Sequence, residues 1–264
     1  MKKTLCLFFS NDTTLLDWKR SGILVREINY YKKLLKKNYN LIFLTYGDKK
    51  DKSIGLTLKN RIRIIPIYEN LIKPKNFLLR NLYNIIIPTL LLRKEKFQII
   101  KVNQLSSGLS GLVASFILNK KIYFRIGWEP NILFKIVKSN TKSIILYKFL
   151  SFIIYNFGKY FSVSSHEIKN YILKNTILNY KKKYIKVVEN FVDTNSFFKF
   201  KKKKFDRRVL LVSRLSKEKN IKFLIQALKE TNIKADIIGA GTEKENFIKF
   251  AKKNKVKINF LGKK

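Results

Sequence analysis

Short apolar runs alternate with longer stretches of helical spacing through the first 200 residues. The runs predicted as strands are residues 5–9, 41–45, 61–66, 97–102, 122–125, 160–163 and 186–189. The stretches predicted as helices are residues 22–36, 77–92, 108–119 and 167–174. Strands of this length that alternate with helices form a parallel sheet with both faces covered. The pattern therefore predicts a doubly wound α/β domain.

The same alternation starts again at residue 208. The predicted strands and helices of this region are residues 209–213, 221–230, 235–239, 243–255 and 258–261. The region falls short of the roughly 100–150 residues of an ordinary domain. Its last strand would also be an apolar edge without a neighbour. We therefore expect a second Rossmann-like, doubly wound domain that is incomplete in this chain.

A basic run at residues 199–204 separates the two regions. Like charges repel one another and stay solvated, so the run is interpreted as part of a linker, with a phosphate-binding patch as the alternative. The predicted organisation is a first domain over residues 1–200, a basic linker over 201–207 and a partial second domain over 208–264.

Composition adds a large positive charge to this picture. The chain has 264 residues, 46% of them hydrophobic, and a formal net charge of +40. Only ten of its 57 basic residues are arginine, and the lysines are spread over every segment. A nucleic-acid groove favours arginine, whose flat guanidinium pairs with phosphates and bases. The charge is therefore interpreted as compositional drift, with attraction to an anionic surface as the alternative and no nucleic-acid partner expected.

The rarest side chains give little sign of catalytic chemistry. Cys6 is the single cysteine, and its apolar neighbours predict a small core residue. His166 is the single histidine, which excludes a His-rich metal site within this chain. Because Ser164 and Ser165 precede it, His166 is expected at the start of a helix and is assigned no catalytic role.

No apolar segment reads as a clean membrane span. The apolar start of the chain is cut short by Asn11 and Asp12, so it is interpreted as a buried strand and not as a secretory signal. The longest apolar stretch, residues 143–163, contains Lys148 and Lys159 and falls short of ~20 uninterrupted residues. It is interpreted as a buried helix, with a helix lying on a membrane surface as the alternative.

The loop after the predicted strand 209–213 carries the strongest chemical signal. It contains Arg214 and Lys219 and leads into the predicted helix 221–230. A loop at the carboxyl end of a parallel strand opens onto a helix N-terminus, where backbone N–H groups and the helix dipole favour an anion. Two cations beside it suit a departing diphosphate, whereas the alternative is an ordinary charged loop in a lysine-rich chain.

Two glycines follow at the next turn from strand to helix. Gly239 and Gly241 come at the end of the predicted strand 235–239. Glycines at such a turn let the backbone approach a ligand closely, although glycines also serve any tight turn.

Four segments occur in an order that resembles the retaining family-4 glycosyltransferases. Members of that family carry the motifs N-G-V-D-x-x-x-F, G-R-L-x-x-E-K-G, I-V-G-x-G-P and V-x-F-x-G in this sequence. The corresponding segments are Asn190-Phe191-Val192-Asp193, Ser213-Arg214-Leu215 with Glu218-Lys219-Asn220, Ile238-Gly239-Ala240-Gly241, and Asn259-Phe260-Leu261-Gly262. The match covers about residues 186–262. Upstream the layout agrees, with Ser21-Gly22 at the position of a glycine-rich loop and residues 125–129 at the position of a loop that faces the sugar.

This resemblance implies a GT-B fold and a retaining, metal-independent sugar transfer without a cofactor, in which the nucleotide-sugar is a co-substrate. It implies that Arg214 and Lys219 bind the donor diphosphate and that Gly239 and Gly241 line the nucleotide pocket. The residues implied on the acceptor side of the cleft are Gly22, Asn103, Arg125, Gly127 and Glu129. Glu129 would hydrogen-bond acceptor hydroxyls, and a surface carboxylate is the alternative interpretation.

The chain also departs from the family pattern. Phe191 and Asn220 replace glycines of the motifs, and Asn tolerates the left-handed conformation that a glycine would adopt. The family's E-x7-E segment, which contacts the donor sugar, would follow the last strand seen here. We therefore expect this chain as written to be inactive or at best a weak donor binder.

The function implied is transfer of a sugar from a UDP- or GDP-sugar to a glycan or lipid-linked acceptor in cell-surface polysaccharide synthesis. It would take place in the cytoplasm or on the inner face of the cytoplasmic membrane, where an anionic membrane surface would be a further partner. The alternatives are a basic protein that binds nucleic acid or a membrane surface, and an epimerase of the same fold.

Overall fold

A computed structural model describes residues 3–58, 62–136, 141–178, 180–190, 192, 194 and 208–264. The chain divides into two compact units. The first comprises Met1–Asn131 and Asn140–Asp193, and the second comprises Ile132–Ser139 and Thr194–Lys264. The predicted linker at residues 201–207 lies outside the described residues.

The first unit is built on a seven-stranded sheet. Its strands are β1 Lys3–Phe8, β2 Tyr39–Thr45, β3 Ile62–Pro66, β4 Ile99–Asn103, β5 Lys121–Ile126, β6 Tyr160–Val163 and β7 Tyr184–Val187. They lie in the order β3-β2-β1-β4-β5-β6-β7, and every neighbouring pair is parallel. The chain therefore winds outward from β1 to β3, returns to β4 and continues to β7. This confirms the predicted doubly wound α/β architecture.

Helices connect the strands of the first unit. They are α1 Leu15–Arg20, α2 Ile23–Lys36, α3 Lys49–Leu56, α4 Phe77–Leu92, α5 Gly108–Ile117, α7 Thr141–Phe157 and α8 His166–Lys174. A further helix, α6 Pro130–Ile136, begins in the first unit and ends in the second. Helix α1 contacts α2 and α3, whereas α5 contacts α4 and α7. Because parallel crossovers are right-handed, the reversal of strand order between β1 and β4 places these two groups of helices on opposite faces of the sheet.

The core of this unit centres on β1, as the apolar run 5–9 predicted. Cys6, Leu7 and Phe8 are fully buried, which confirms Cys6 as a core residue. Phe9 continues the run and stacks on Trp18 of α1 with ring centroids 4.0 Å apart. Burial also raises the pKa of the Cys6 thiol well above its ordinary range, so the thiol stays protonated.

Three short helices, α1, α3 and α6, escaped the prediction from apolar spacing. Helix α1 has only six residues, too few to show a period. Its start is nevertheless marked by a capping box, in which Thr14 accepts from the N–H of Asp17 and Asp17 accepts from the N–H of Thr14. The buried carboxylate of Asp51 in α3 also accepts from the N–H groups of Leu15 and Leu16 at 2.9 and 3.0 Å. That second cap depends on tertiary contact and has no local sequence signature.

The interpretation of residues 143–163 as a buried helix is wrong. The stretch divides into α7 and β6, and only one side of α7 is covered. Ile154 and Tyr155 are buried, whereas Ile145 and Phe149 on the other side are 63% and 57% exposed. A helix that is apolar all round gives no sequence signal of which side packs on the sheet, and this explains the error. Within the described part of the chain, no helix has the length and apolar character needed to cross a membrane.

The second unit holds a small parallel sheet. Its strands are β8 Arg208–Val212, β9 Lys234–Ile238 and β10 Ile258–Gly262, in the order β10-β9-β8. Helices α9 Ile221–Leu228 and α10 Lys244–Lys253 connect them, close to the predicted bounds. The buried core residues of this unit are Leu215, Ile221, Ile225, Ile237, Phe247 and Ala251.

Candidate functional site

The loop after β8 in the second unit gathers charged side chains around one carboxylate. The guanidinium of Arg214 lies 3.2 Å from Oε1 of Glu218, and the hydroxyl of Ser216 donates to the same oxygen at 2.6 Å. The hydrogen bond from Ser216 is the main cause that lowers the pKa of Glu218, and the charges of Arg214 and Lys219 lower it further. Arg214 and Lys219 both lie on the segment between β8 and α9, and their binding of a donor diphosphate stays a prediction. Arg214 is 77% exposed and can leave Glu218 for another anion.

Asn220 forms the junction between this loop and α9. Its backbone has φ 44° and ψ 43°, the left-handed conformation. This confirms the expectation that Asn can take the place of a glycine here, because its short polar side chain tolerates this region. The junction turns the chain directly into the N-terminus of α9, whose first N–H groups and dipole favour an anion.

Gly239 and Gly241 form a turn that packs against the same loop. The N–H of Leu215 donates to the carbonyl of Ala240 at 3.0 Å, so the two loops are joined by their backbones. A Cβ on Gly239 would lie 1.8 Å from the carbonyl oxygen of Ser213, and one on Gly241 would lie 2.2 Å from that of Leu215. The contact that requires these glycines is therefore between the two loops. Their lining of a nucleotide pocket stays a prediction.

In the first unit, the strand order reverses between β1 and β4. Ligands of open α/β sheets bind outside the carboxyl ends of strands at such a point. Ser10, two residues after β1, donates from its hydroxyl to the main-chain carbonyl of Asn103 at 2.9 Å. Asn103 is the last residue of β4 and belongs to the predicted acceptor side.

Gln104 follows Asn103 in a strained conformation. Its φ of 79° and ψ of 161° lie in a region that is essentially restricted to glycine. Two hydrogen bonds hold it there: its N–H donates to the carbonyl of Arg125 at 2.8 Å, and its side-chain Oε1 accepts from the N–H of Gly127 at 3.0 Å. Backbone strain that is held in this way is often found at functional sites. The sequence prediction missed Gln104.

A small cavity of about 60 Å³ opens beside Gln104. Its lining residues are Ser10, Gln104, Leu105, Ser106, Trp128, Pro130 and Tyr147. Trp128 is 46% exposed and offers an aromatic face next to hydroxyl and amide groups. A flat ring beside a few hydrogen-bonding groups suits a hydroxylated ligand. The sequence analysis singled out neither Ser10 nor Gln104, although a polar residue close after an apolar strand is a signal that could have found both.

A polar network fixes the loop after β1. The side-chain amide of Asn84, which is buried in α4, donates to Asn11 at 2.7 Å and to Asp12 at 3.2 Å. The carboxylate of Asp12 forms ion pairs with Lys73 and Arg80 at 3.1 and 3.0 Å. These contacts hold one wall of the region beside the cavity in place. They join residues about 70 positions apart, so the sequence alone gave no sign of them.

Arg125 at the end of β5 is half-buried and held by Asn190. The guanidinium donates to Oδ1 of Asn190 at 3.0 Å. Desolvation lowers the pKa of Arg125, although it stays charged. Asn190 belongs to the first of the four family motifs, and Asp193 of the same motif lies outside the described residues.

Glu129 is buried rather than exposed at the surface. It is only 3% exposed, so the alternative of a surface carboxylate is wrong. Its Oε1 accepts from both the N–H and the side-chain amide of Asn131, and its Oε2 accepts from the hydroxyl of Tyr155. Burial raises its pKa, and the hydrogen bond from Tyr155 opposes that rise most strongly. In this geometry the carboxylate holds the loop after β5, and direct contact with an acceptor stays a prediction.

Gly22 lies apart from the other acceptor-side residues. It is exposed at the junction of α1 and α2 with φ 76°, one helix beyond the end of β1. A larger groove of about 980 Å³ lies along β3 near the amino ends of the strands. Ligands of such sheets bind at the carboxyl ends, so the groove is assigned no role. His166 begins α8 with Ser165 as its N-cap, as predicted. Among the described residues, no group of three or more His, Cys, Asp or Glu side chains is arranged to hold a metal ion.

Comparison with solved structures defines the class of this fold. Sucrose-phosphate synthase from Thermosynechococcus elongatus matches with a TM-score of 0.74 and 13% identity, over 100% of this chain and 71% of that one. HepE of Anabaena, solved in complex with UDP-glucose, matches with a TM-score of 0.64 and 16% identity, over 100% and 70%. The lipopolysaccharide outer core galactosyltransferase WaaB matches with a TM-score of 0.59 and 18% identity, over 99% and 68%. The fold is therefore similar to that of the GT-B glycosyltransferases.

A family match points to the second unit in particular. Residues 192–264 match the family described as glycosyl transferases group 1. The matched segment contains both Arg214 and Lys219 of the charged loop and both Gly239 and Gly241 of the turn packed against it. A comparison with curated proteins finds no match.

Proposed function

We propose that this protein is a glycosyltransferase that moves a sugar from a UDP-sugar to a glycan or a lipid-linked acceptor. The observation that carries the proposal is the loop with Arg214 and Lys219 at the carboxyl end of β8, inside the segment that matches glycosyl transferases group 1. HepE, a protein of similar fold, was solved with UDP-glucose, which favours UDP over GDP as the donor base. WaaB acts on the lipopolysaccharide outer core, which supports a role in cell-surface polysaccharide synthesis.

The chemistry of the transfer assigns a task to each cation. The bond between the anomeric carbon and the diphosphate breaks and leaves its electron pair on UDP, so negative charge builds up there. The acceptor oxygen bonds to the anomeric carbon, and the proton of its hydroxyl passes to the departing UDP. Arg214 and Lys219 would stabilise that charge by donating charge-assisted hydrogen bonds, with help from the N-terminus of α9. In the proposed mechanism the anomeric configuration is retained and these cations take the place of a metal ion.

On the acceptor side, the proposed binding groups lie around the small cavity. Arg125 and Gly127 hold the strained backbone of Gln104 through the two hydrogen bonds described above. Asn103 precedes Gln104, and its carbonyl accepts from the hydroxyl of Ser10. The ring of Trp128 would stack on the acceptor, and the amide of Gln104 would bond its hydroxyls. Glu129 would hold this loop in place by accepting a hydrogen bond from the N–H of Asn131.

Calorimetric titration of the full chain with UDP tests the donor site. Arg214→Ala and Lys219→Ala should each weaken UDP binding by about tenfold or more, because each removes a charged phosphate contact. Lys252→Ala is the matched control, since it removes the same charge from the last turn of α10, at the far end of the same unit. GDP titrated in parallel tests the choice of base, and EDTA tests whether binding needs a metal ion.

The large positive charge of the chain makes this control decisive. A net charge of +40 attracts any anion, and such non-specific attraction fades with added salt. Equal losses in Arg214→Ala, Lys219→Ala and Lys252→Ala would show that UDP binds to the general field and would refute the donor site. Unchanged UDP binding in Arg214→Ala and Lys219→Ala would refute it as well.

A further inference from the structure

The outer side of three neighbouring helices in the first unit is apolar and open to solvent. Along α4, Leu82 and Ile86 lie one turn apart and are exposed, and Phe149 is exposed on α7. Between these helices, α5 packs against both and carries Phe116 in its last turn, where this side chain is 89% exposed. We name the outer side of α4, α5 and α7 the apolar face. Proteins that act as free monomers rarely expose a large group of neighbouring apolar side chains.

The arrangement of side chains shows that the apolar face is a built surface and not an accident of composition. In α4, Asn84 and Pro88 point inward and are buried, whereas Leu82 and Ile86 fall on the opposite side of the helix. In α7, Ile154 is buried and Phe149 is exposed. A helix with only one covered side usually presents polar residues to water. These helices present leucine, isoleucine and phenylalanine instead.

Charge indicates the kind of partner that covers the apolar face. None of the three helices contains an aspartate or a glutamate. Basic residues flank the face at helix ends and on α7, among them Arg93, Lys94 and Lys148, all exposed. An apolar surface whose helices carry basic but no acidic side chains matches an anionic lipid bilayer, whose acyl region accepts the apolar side chains while its phosphates attract the cations.

A second copy of this chain is a less suitable partner for the apolar face than an anionic membrane. Two copies would each carry a net charge of +40 and would repel one another on approach. The apolar face also offers no acidic residue that could offset the lysines and arginines of a partner copy. The charges therefore oppose self-association and favour an anionic surface.

We propose that the apolar face of α4, α5 and α7 docks the protein on the surface of an anionic membrane. The helices lie flat in the interface, with Leu82, Ile86 and Phe149 inserted below the phosphates and the flanking cations level with them. This inference rests on the proposed function in one respect, since a membrane is where a lipid-linked acceptor is found. Docking itself needs no catalysis, so the two proposals can fail separately.

Flotation with lipid vesicles tests the docking surface on the full chain. The probes are vesicles of phosphatidylcholine alone and of phosphatidylcholine mixed with phosphatidylglycerol. The Leu82→Ser/Phe149→Ser variant should bind the mixed vesicles about tenfold or more weakly, because two inserted side chains are lost. The matched control is Val25→Ser/Leu56→Ser, which removes two exposed apolar side chains from α2 and α3 on the opposite face of the sheet.

The possible outcomes distinguish a membrane from a second copy of this chain as the partner of the apolar face. Binding of mixed vesicles that falls in Leu82→Ser/Phe149→Ser but not in the control supports docking, and UDP affinity should be the same in both variants. Equal vesicle binding by both variants, or no binding of the mixed vesicles by the unchanged protein, would overturn the proposal. Sedimentation that shows a dimer of the unchanged protein and a monomer of Leu82→Ser/Phe149→Ser would assign the face to a second copy instead.

Discussion

Gln104 and Gly127 hold one another at the ends of adjacent strands. The N–H of Gly127 donates to Oε1 of Gln104 at 3.0 Å, and Gln104 keeps a backbone conformation that only glycine adopts readily. A Cβ on Gly127 would approach Nε2 of Gln104 to 3.0 Å, so the small residue leaves room for this amide. The pair fixes the amide beside the cavity around which the proposed acceptor-binding groups lie.

The strain at Gln104 can be measured by exchanging its side chain. Gln104→Ala keeps the positive φ and leaves the N–H of Gly127 without its partner, so the free energy of unfolding should fall by about 1–3 kcal/mol. Gln104→Gly also loses that bond but relieves the backbone, so it should be more stable than Gln104→Ala by about 1 kcal/mol. Urea unfolding measures both. A Gln104→Ala protein as stable as Gln104→Gly would show that the backbone is not strained.

The packing of the Gly241 turn against the loop with Arg214 predicts a large effect of one added methyl group. Gly241→Ala would place a Cβ 2.2 Å from the carbonyl oxygen of Leu215, a backbone atom that has no room to move away. We expect a loss of stability of about 3 kcal/mol or more.

Gly22→Ala provides the control for Gly241→Ala. Gly22 has φ 76° and open space around it, so this change should cost only about 1 kcal/mol. Thermal unfolding of both variants measures the two costs. Equal melting temperatures for the two variants would contradict the packing that the structure shows.

The buried carboxyl of Glu129 predicts a dependence of stability on pH. Its pKa in the folded protein is raised above the ordinary value of 4.5, mainly by desolvation. The folded state therefore binds the proton more tightly than the unfolded state. This group's contribution to the free energy of unfolding is fully present below pH 4.5 and is lost as the pH rises through the folded pKa.

Comparison of unfolding in the wild type and Glu129→Gln isolates this contribution, because the other carboxyl groups are common to both. The wild type should lose stability relative to Glu129→Gln as the pH rises above 4.5. Tyr155→Phe removes a hydrogen bond that lowers the pKa of Glu129, so it should move the loss to higher pH. A constant difference between wild type and Glu129→Gln across the titration would refute the raised pKa.

Lys101 in β4 predicts that the free energy of unfolding rises with pH in the alkaline range, whereas Glu129 predicts a fall with rising pH. It is buried among tyrosine rings, its ammonium donates to the hydroxyl of Tyr31 at 2.9 Å, and desolvation lowers its pKa to about 8. Glu27 raises this pKa and Arg125 lowers it, both by less than desolvation does. Between about pH 8 and its ordinary value of 10.5, the unfolded state binds more protons, so stability gains from this group as the pH rises.

Lys101→Met should remove that gain. At pH 7 the variant should be more stable by about 1–2 kcal/mol, because the relief of a buried charge exceeds the loss of the bond to Tyr31. Lys121→Met is the control, since Lys121 is exposed at the start of β5. Urea unfolding at pH 7 and pH 9.5 measures all three proteins. A Lys101→Met protein less stable than the wild type at pH 7 would show that the lysine stabilises the fold through its hydrogen bond.

Much of the fold could be predicted from the sequence because apolar residues recur with different periods in strands and in helices. The helix predicted at residues 77–92 coincides with α4, and the ten strands of the described residues lie at or within two residues of a predicted run. Short helices were missed where fewer than two turns give no visible period, as at α1. There the pair Thr14 and Asp17 was the available signal, because a capping box is readable from residue types alone.

The candidate site was predictable in part. Arg214 and Lys219 were found because they lie within six residues of one another in a loop with a recognisable motif. Gln104 was not found, because its positive φ and its hydrogen bond with Gly127, which follows another strand, cannot be seen in the sequence. The buried state of Glu129 depends on Tyr155, 26 residues away, and was not visible for the same reason.

The amino-acid sequence by itself determined the order of strands and helices, the parallel sheet and the family motifs of the second unit. These features rest on local periodicity and on neighbouring residues, which a linear pattern records. The tertiary structure alone decided which sides of α4 and α7 stay open, why Gly239 and Gly241 must be glycines, and how Lys101 is buried. Those features depend on the distances between segments far apart in the chain, and burial and close approach are set only when the segments pack.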